Sequence, residues 1–181
     1  AAAADLALAV SAREGGGEGG GGRDGEAAAS LHVSLLDNEA QWKSYTATLG
    51  RTFAPHGATV DFGVCDVTAP LAACSDAVAA TLARADALLF AFVCHETSRA
   101  SAAADWAFYR ELRRSCKLGA VLIFTDVVGH SAQCFDEVHA AMARGAEDGR
   151  AVRRLPLAAG LGEALHAELM VLHVAKHSGP A

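Results

Sequence analysis

The chain has 181 residues, of which 52% are hydrophobic, enough for one globular domain with a real core and too apolar for a disordered one. A net charge of −6 and no basic run longer than the pairs Arg113-Arg114 and Arg153-Arg154 argue against a polyphosphate-binding surface. Five cysteines without a CxxC pair exclude a secreted disulfide scaffold and point to reduced thiols in an intracellular, cytoplasm-like compartment, and no apolar run reaches the ~18 residues of a membrane helix.

In chain order, residues 1–14 are Ala-rich and read as a helix. Residues 15–30 open with GGGEGGGGRDGE, a Gly-rich linker or loop whose composition cannot bury enough surface to order itself. From residue 31 to 178 short apolar runs alternate with helical patterns, the mark of βα units around a parallel sheet.

The first unit is a strand over 31–37, VSLLD at its end, followed by a helix in which Trp42, Tyr45, Leu49 and Phe53 share one face. Asn38 and Gln41 form a plausible capping pair, and His56-Gly57 a stop. The second unit is a strand over 58–65, then a helix that Thr68 can cap and Pro70 can open. DALLFAFVC, 86–94, is a continuous apolar run and reads as a central strand covered on both faces. A helix carrying Trp106, Tyr109, Leu112 and Cys116 follows, with the two aromatic residues in the core and Arg110, Arg113 and Arg114 on its solvated face.

Residues 119–125, GAVLIFT, form a fourth buried strand ending on Asp126, and a helix through Phe135, Val138 and Met142 stops near Gly145. Two further strand-like runs, 152–158 and 169–176, suggest a terminal hairpin with one antiparallel strand. The expected fold is therefore α/β, three-layer αβα, with a mostly parallel sheet.

Four strands end on or beside ionisable groups: Asp37 with Asn38, Cys65 with Asp66, Cys94 with His95 and Glu96, and Asp126. In an open parallel sheet these ends line one edge, where ligands bind. Each ending taken singly is also explained by helix capping.

The succession LLDNEAQW, FGVCDVTAPL, ADALLFAFVCHETS and GAVLIFTDVVGHS resembles strands two to five of a class I, Rossmann-like, S-adenosylmethionine-dependent methyltransferase, over about residues 31–176. That resemblance implies S-adenosylmethionine as cofactor, with Asp37 on the ribose hydroxyls and Asn38 and Trp42 assisting. It implies Asp66 and Val67 at the adenine, and Cys94, His95 and Glu96 on the methyl-donor and acceptor side, with His95 and Glu96 as candidate catalytic groups.

The family's first strand and Gly-rich loop are missing from the expected pattern. The tract 15–25 follows a helical pattern and precedes a strand, the wrong context for that loop. In the family the first strand lies between the second and fourth, so its loss would leave two central edges unpaired. The reading this favours is a fragment of a longer protein.

HETS lacks the Asn/Asp-Pro-Pro-Tyr ending of amino-group methyltransferases and is closer to looser endings, including those of ribosomal RNA uridine enzymes. The acceptor is open, RNA included. The chief alternative is a non-catalytic methyltransferase-like binding or scaffold domain. A receiver domain fits worse, since the strand ending at 94 offers no phosphoacceptor Asp and no lysine precedes a proline. Cys134 with His139, and His173 with His177, are not a recognised metal-ligand set.

Overall fold

The structure, a computed structural model, describes residues 6–13, 30–129, 131–144, 148–157, 162 and 167–176. The tract 15–29, the expected helix stop at Gly145 and the end of the 152–158 run lie outside the described residues. Among the described residues seven strands form one sheet in the order β3-β2-β1-β4-β5-β7-β6. In chain order they are β1 (Leu6–Arg13), β2 (Ser30–Asp37), β3 (Ala58–Val64), β4 (Ala87–Ala91), β5 (Val121–Asp126), β6 (Arg150–Arg154) and β7 (Glu168–Lys176). The helices are α1 (Lys43–Phe53), α2 (Asp76–Arg84), α3 (Val93–Ala103), α4 (Ala107–Ser115) and α5 (Ala132–Ala143).

Residues 6–13 are a strand, not the helix that the Ala-rich composition suggests. Leu6, Leu8 and Val10 alternate with small residues, a period of two that suits a pleated strand. The decisive term is tertiary: β2 and β4 would otherwise each expose a row of unpaired N–H and C=O groups, and β1 pairs with both. Helix propensity differences of a few tenths of a kcal/mol per residue cannot compete with two ladders.

β1 fills the central position from within this chain, but it runs antiparallel to both neighbours, whereas β2 and β3 pair in parallel, as do β4 and β5. Because β7 is antiparallel to β5 and to β6, five strands point one way and only β1 and β7 point the other. The sheet is thus mixed, with two neighbouring pairs parallel and four antiparallel, the terminal pair among the latter.

The two faces of the sheet are finished differently. On one face Phe90 and Phe124 stack with ring centroids 4.7 Å apart, Phe108 and Tyr109 of α4 pack against Phe90, and Phe135 of α5 packs against Phe124. Offset and edge contacts of this kind add ~1 kcal/mol each beyond the area they bury. Gly63 lies on this face, and a Cβ there would stand 2.7 Å from Val78 Cγ2 of α2 and 3.0 Å from Leu36, so the close approach of α2 to β3 requires glycine.

On the other face the described helix is α1, whose Gly50 lies over Val60. Leu89, Val121, Ile123, Leu169 and Val171 on this face remain half-buried. Helices on both sides of a mixed sheet make a three-layer αβα arrangement, with its second helical layer concentrated at β2 and β3.

Two further expectations change, for the run 86–94 and for Arg113, and the structure gives the shared face of α1 a direction. The apolar face of α1 points outward: Tyr45 is 61% exposed, and Leu49 and Phe53 are exposed as well. The run 86–94 is not one strand. β4 stops at Ala91, Phe92 takes a left-handed conformation (φ 59°), and α3 begins at Val93. A continuous apolar run does not by itself distinguish a buried strand from a buried helix turn.

Arg113 is not on the solvated face. It is 1% exposed, donating to Asp148 Oδ2 at 2.8 Å and to the Arg150 carbonyl at 3.1 Å, a hydrogen-bonded ion pair that compensates its burial. Trp106 and Tyr109 are buried.

Candidate functional site

The carboxyl ends of β3, β2, β4 and β5 lie along one edge of the sheet and present Asp66, Asp37, the first turn of α3 and Asp126 in that spatial order. Since β1 runs backwards, Leu6, its first residue, stands between β2 and β4 at this edge, paired with Ala91. Arg13 and Ser30 pair at the opposite edge. No Gly-rich loop crosses the described part of the crevice.

Asp37 closes β2. Its Oδ1 accepts the Glu39 N–H at 2.7 Å, so Asp37 itself, rather than the expected pair Asn38 and Gln41, organises the turn into α1. Neither the 3-10 turn Ala40–Trp42 nor α1 has a side-chain cap. The residue is 1% exposed, and its Oδ2 has no hydrogen-bond partner among the described residues. Burial pushes the carboxyl group above the usual carboxylate range, the Glu39 N–H opposes this, and the Glu39 charge adds to it. Asn38 is exposed beside it.

Leu35, two residues before Asp37 on the same face of β2, floors a cleft of about 450 Å³ walled by Trp42, Tyr45, Thr48 and Leu49 on one side and by Ala91 and Phe92 on the other. The Trp42 and Tyr45 rings lie 5.1 Å apart at 44°. The lining is almost wholly apolar, and the outward face of α1 supplies most of it. Of the expected cofactor residues only Trp42 lines this cleft; Tyr45, Leu49 and Phe92 were not singled out as site residues. The signal for two of them was present, since Tyr45 and Leu49 recur with Trp42 at helical spacing, but the pattern does not say whether such a stripe faces a core or a cavity.

Asp66 and Val67 follow β3. Asp66 is exposed, and its Oδ1 accepts the Thr68 N–H at 2.8 Å and the Thr68 hydroxyl at 2.7 Å, closing a local turn. Thr68 is therefore spent on this turn, and Ser75 caps α2 instead, its Oγ accepting the Val78 N–H at 3.3 Å. Val67 is buried. The Cys65 N–H donates to the Asp37 carbonyl at 2.9 Å, which ties the ends of β3 and β2 together.

Cys94, His95 and Glu96 lie in the first turn of α3 rather than at a strand end. Cys94 is buried, its carbonyl taking the Cys134 thiol at 3.4 Å, and the neighbouring Cys134 thiol together with burial holds the Cys94 thiol far above the range of a reactive cysteine. His95 points the other way. Its Nδ1 meets Asp126 Oδ1 and its Nε2 lies 3.6 Å from Glu96 Oε1.

Asp126 is fully buried and fully used: it also accepts the His95 backbone N–H at 2.8 Å and the Val127 N–H at 2.7 Å. One carboxylate thereby caps α3 from another strand and orients the His95 ring. Asp126 was visible in the sequence as an acidic strand ending; its partnership with His95 spans 31 residues and only the fold produces it.

The structure thus brings together His95, Glu96 and Asp126 at β4 and β5, and Asp37 with the Trp42 cleft at β2. β2 and β4, the strands that end at Asp37 and lead to His95, are separated by β1, hence by about 10 Å at ordinary strand spacing, and the cleft crosses that gap to Ala91 and Phe92. The structure does not place Cys94 in the crevice, and it leaves Asp66 engaged in its own turn. Among the described residues no helix is long and apolar enough to cross a membrane.

A scan against family models finds no match, and neither does a comparison with curated proteins. Among solved structures, the chain is similar to the crystal structure of the antibiotic-resistance methyltransferase Kmr, at 16% identity, over 79% of this chain and 75% of that one, with a TM-score of 0.46. At that score and identity the likeness is one of outline.

Proposed function

We propose that this chain, alone or as part of a longer protein, carries out S-adenosylmethionine-dependent methyl transfer in an intracellular compartment, with the adenosine end of the cofactor at the end of β2. The observation that carries the reading is the Asp37 carboxylate, buried at the strand end with one oxygen unpartnered among the described residues and an aromatic-lined cleft alongside. A buried polar atom without a partner costs about 1–3 kcal/mol, a cost that a ribose hydroxyl in hydrogen-bond range would relieve.

The residues fit the group at one end. Asp37 would accept ribose hydroxyls with Asn38 at its side, Trp42 would wall the base, and Asp66 with Val67 would meet the adenine edge by releasing the turn to Thr68. Asp37 is sealed at 1% exposure, so its cover must part for the ribose to enter. At the methionine end the described residues supply no glycine loop. When bound, the cofactor supplies an electrophilic methyl group.

At the acceptor side His95, held through Nδ1 by Asp126, has Nε2 available to take a proton from an incoming acceptor, with Glu96 beside it to stabilise the imidazolium. An RNA or small-molecule acceptor is equally compatible with these groups.

A second reading has its own observation. Among the described residues the reversed β1 places a strand end, and no phosphate- or methionine-cradling loop, at the centre of the crevice, which favours a methyltransferase-like domain that binds or scaffolds without catalysis. Calorimetric titration with S-adenosylmethionine decides between them, using this chain and one extended upstream. Binding that weakens about tenfold or more in Asp37→Ala, the size of one charge-assisted hydrogen bond, supports the enzyme reading. Absence of binding by either form eliminates it.

A further inference from the structure

We propose that Cys65 and Cys74 are a redox modification site, closing to a reversible disulfide when the chain meets a small-molecule disulfide of the glutathione type. Their sulfurs lie 3.6 Å apart, about 1.5 Å short of a covalent S–S bond, although nine positions separate them in sequence. The two thiols differ in access. Cys65 is buried directly after β3, with its backbone anchored to Asp37. Cys74 is half-exposed and lines an open hollow of about 550 Å³ between β2, β3 and α2, where Asp66, Ser75 and Val78 are also found. Cys94, Cys116 and Cys134 are all buried.

Access assigns the order of steps. The Cys74 thiolate attacks one sulfur of the external disulfide RSSR, forming the mixed disulfide Cys74–S–S–R and releasing RS⁻. The Cys65 thiolate then attacks the Cys74 sulfur and expels the second RS⁻. Both leaving thiolates take up the protons the two cysteines lost, so two protein thiols and RSSR become one protein disulfide and two RSH. The electrons lost by the cysteine pair reduce the external disulfide.

Burial, followed by the nearness of Cys74, pushes the Cys65 thiol well above the ordinary thiol range. The second step is therefore the slower one and speeds up with rising pH. The ring so closed contains Asp66 and Val67, and it stiffens the β3 to α2 connection whatever ligand that connection serves. The modification is independent of the methyl-transfer reading.

The test exposes the reduced chain to oxidised glutathione, unfolds it, alkylates it with iodoacetamide, and reads the intact mass and the peptide map. Two fewer alkylated cysteines with a linked Cys65–Cys74 peptide, reversed by dithiothreitol, is the expected result. Cys74→Ser should abolish the link. Cys65→Ser should retain a stable glutathione adduct on Cys74, the resolving thiol having been removed. A persistent adduct on Cys74 in the unaltered chain, a link between any other pair, or full alkylation of every cysteine would overturn the proposal.

Discussion

Asp37 and Asp126 occupy equivalent places, each the last residue of a parallel strand and each essentially inaccessible, yet their surroundings are opposite. Asp126 accepts from two backbone N–H groups and the His95 ring. Asp37 accepts from one backbone N–H and has one oxygen without a partner among the described residues. The same side chain at the same topological position is a completed latch at β5 and an incomplete one at β2. A buried carboxylate is stabilised only by the donors it meets, so position along the crevice says little about role until the hydrogen bonds are counted.

The largest effect should come from removing the complete latch. Asp126→Ala leaves the His95 and Val127 N–H groups unpaired and frees the start of α3, and should cost about 3 kcal/mol or more in urea unfolding. A loss below about 1 kcal/mol would mean that α3 does not depend on it.

Asp37→Asn should do the reverse, raising stability at neutral pH because it removes a buried charge that meets a single backbone donor. The sign follows from the raised carboxyl pKa: protonation is favoured in the folded state, so this residue's stabilising contribution is full below the ordinary carboxylate value and is lost as pH rises through the elevated one. The stability difference between Asp37→Asn and the parent chain should therefore widen in favour of the variant from about pH 3 to pH 7, where an unperturbed aspartate near 3.9 would already have ionised. Comparable destabilisation by both aspartate substitutions would erase the contrast between the two latches.

The smallest effect on stability is expected at Tyr45→Ala, within about 0.5 kcal/mol because the ring is mostly exposed. The same change should weaken binding of S-adenosylmethionine in the calorimeter if the cleft takes the base. An unchanged affinity would detach the cleft from the Asp37 site.

Much of the framework was legible in the residues. Strands β2, β3, β5 and β7 fall within two residues of the expected spans, because apolar runs bounded by turn signals are local features. Gly57 takes the left-handed conformation that ends the first helical unit, as its position after His56 suggested. The acidic strand endings were equally visible. Residues 6–13 were misread because alanine content argues for a helix locally, while the unpaired edges of β2 and β4 that make it a strand lie elsewhere in the chain.

By itself the sequence determined which segments are apolar, where the chain turns, and that acidic groups follow several of the strands. These follow from composition and spacing within about ten residues. Only the tertiary structure decided the direction of β1, the break between β4 and α3 at Phe92, the outward stripe of α1, and which buried carboxylate is satisfied. Each of those depends on a partner brought from far along the chain, as when Asp126 meets His95, and no local period encodes such a partner.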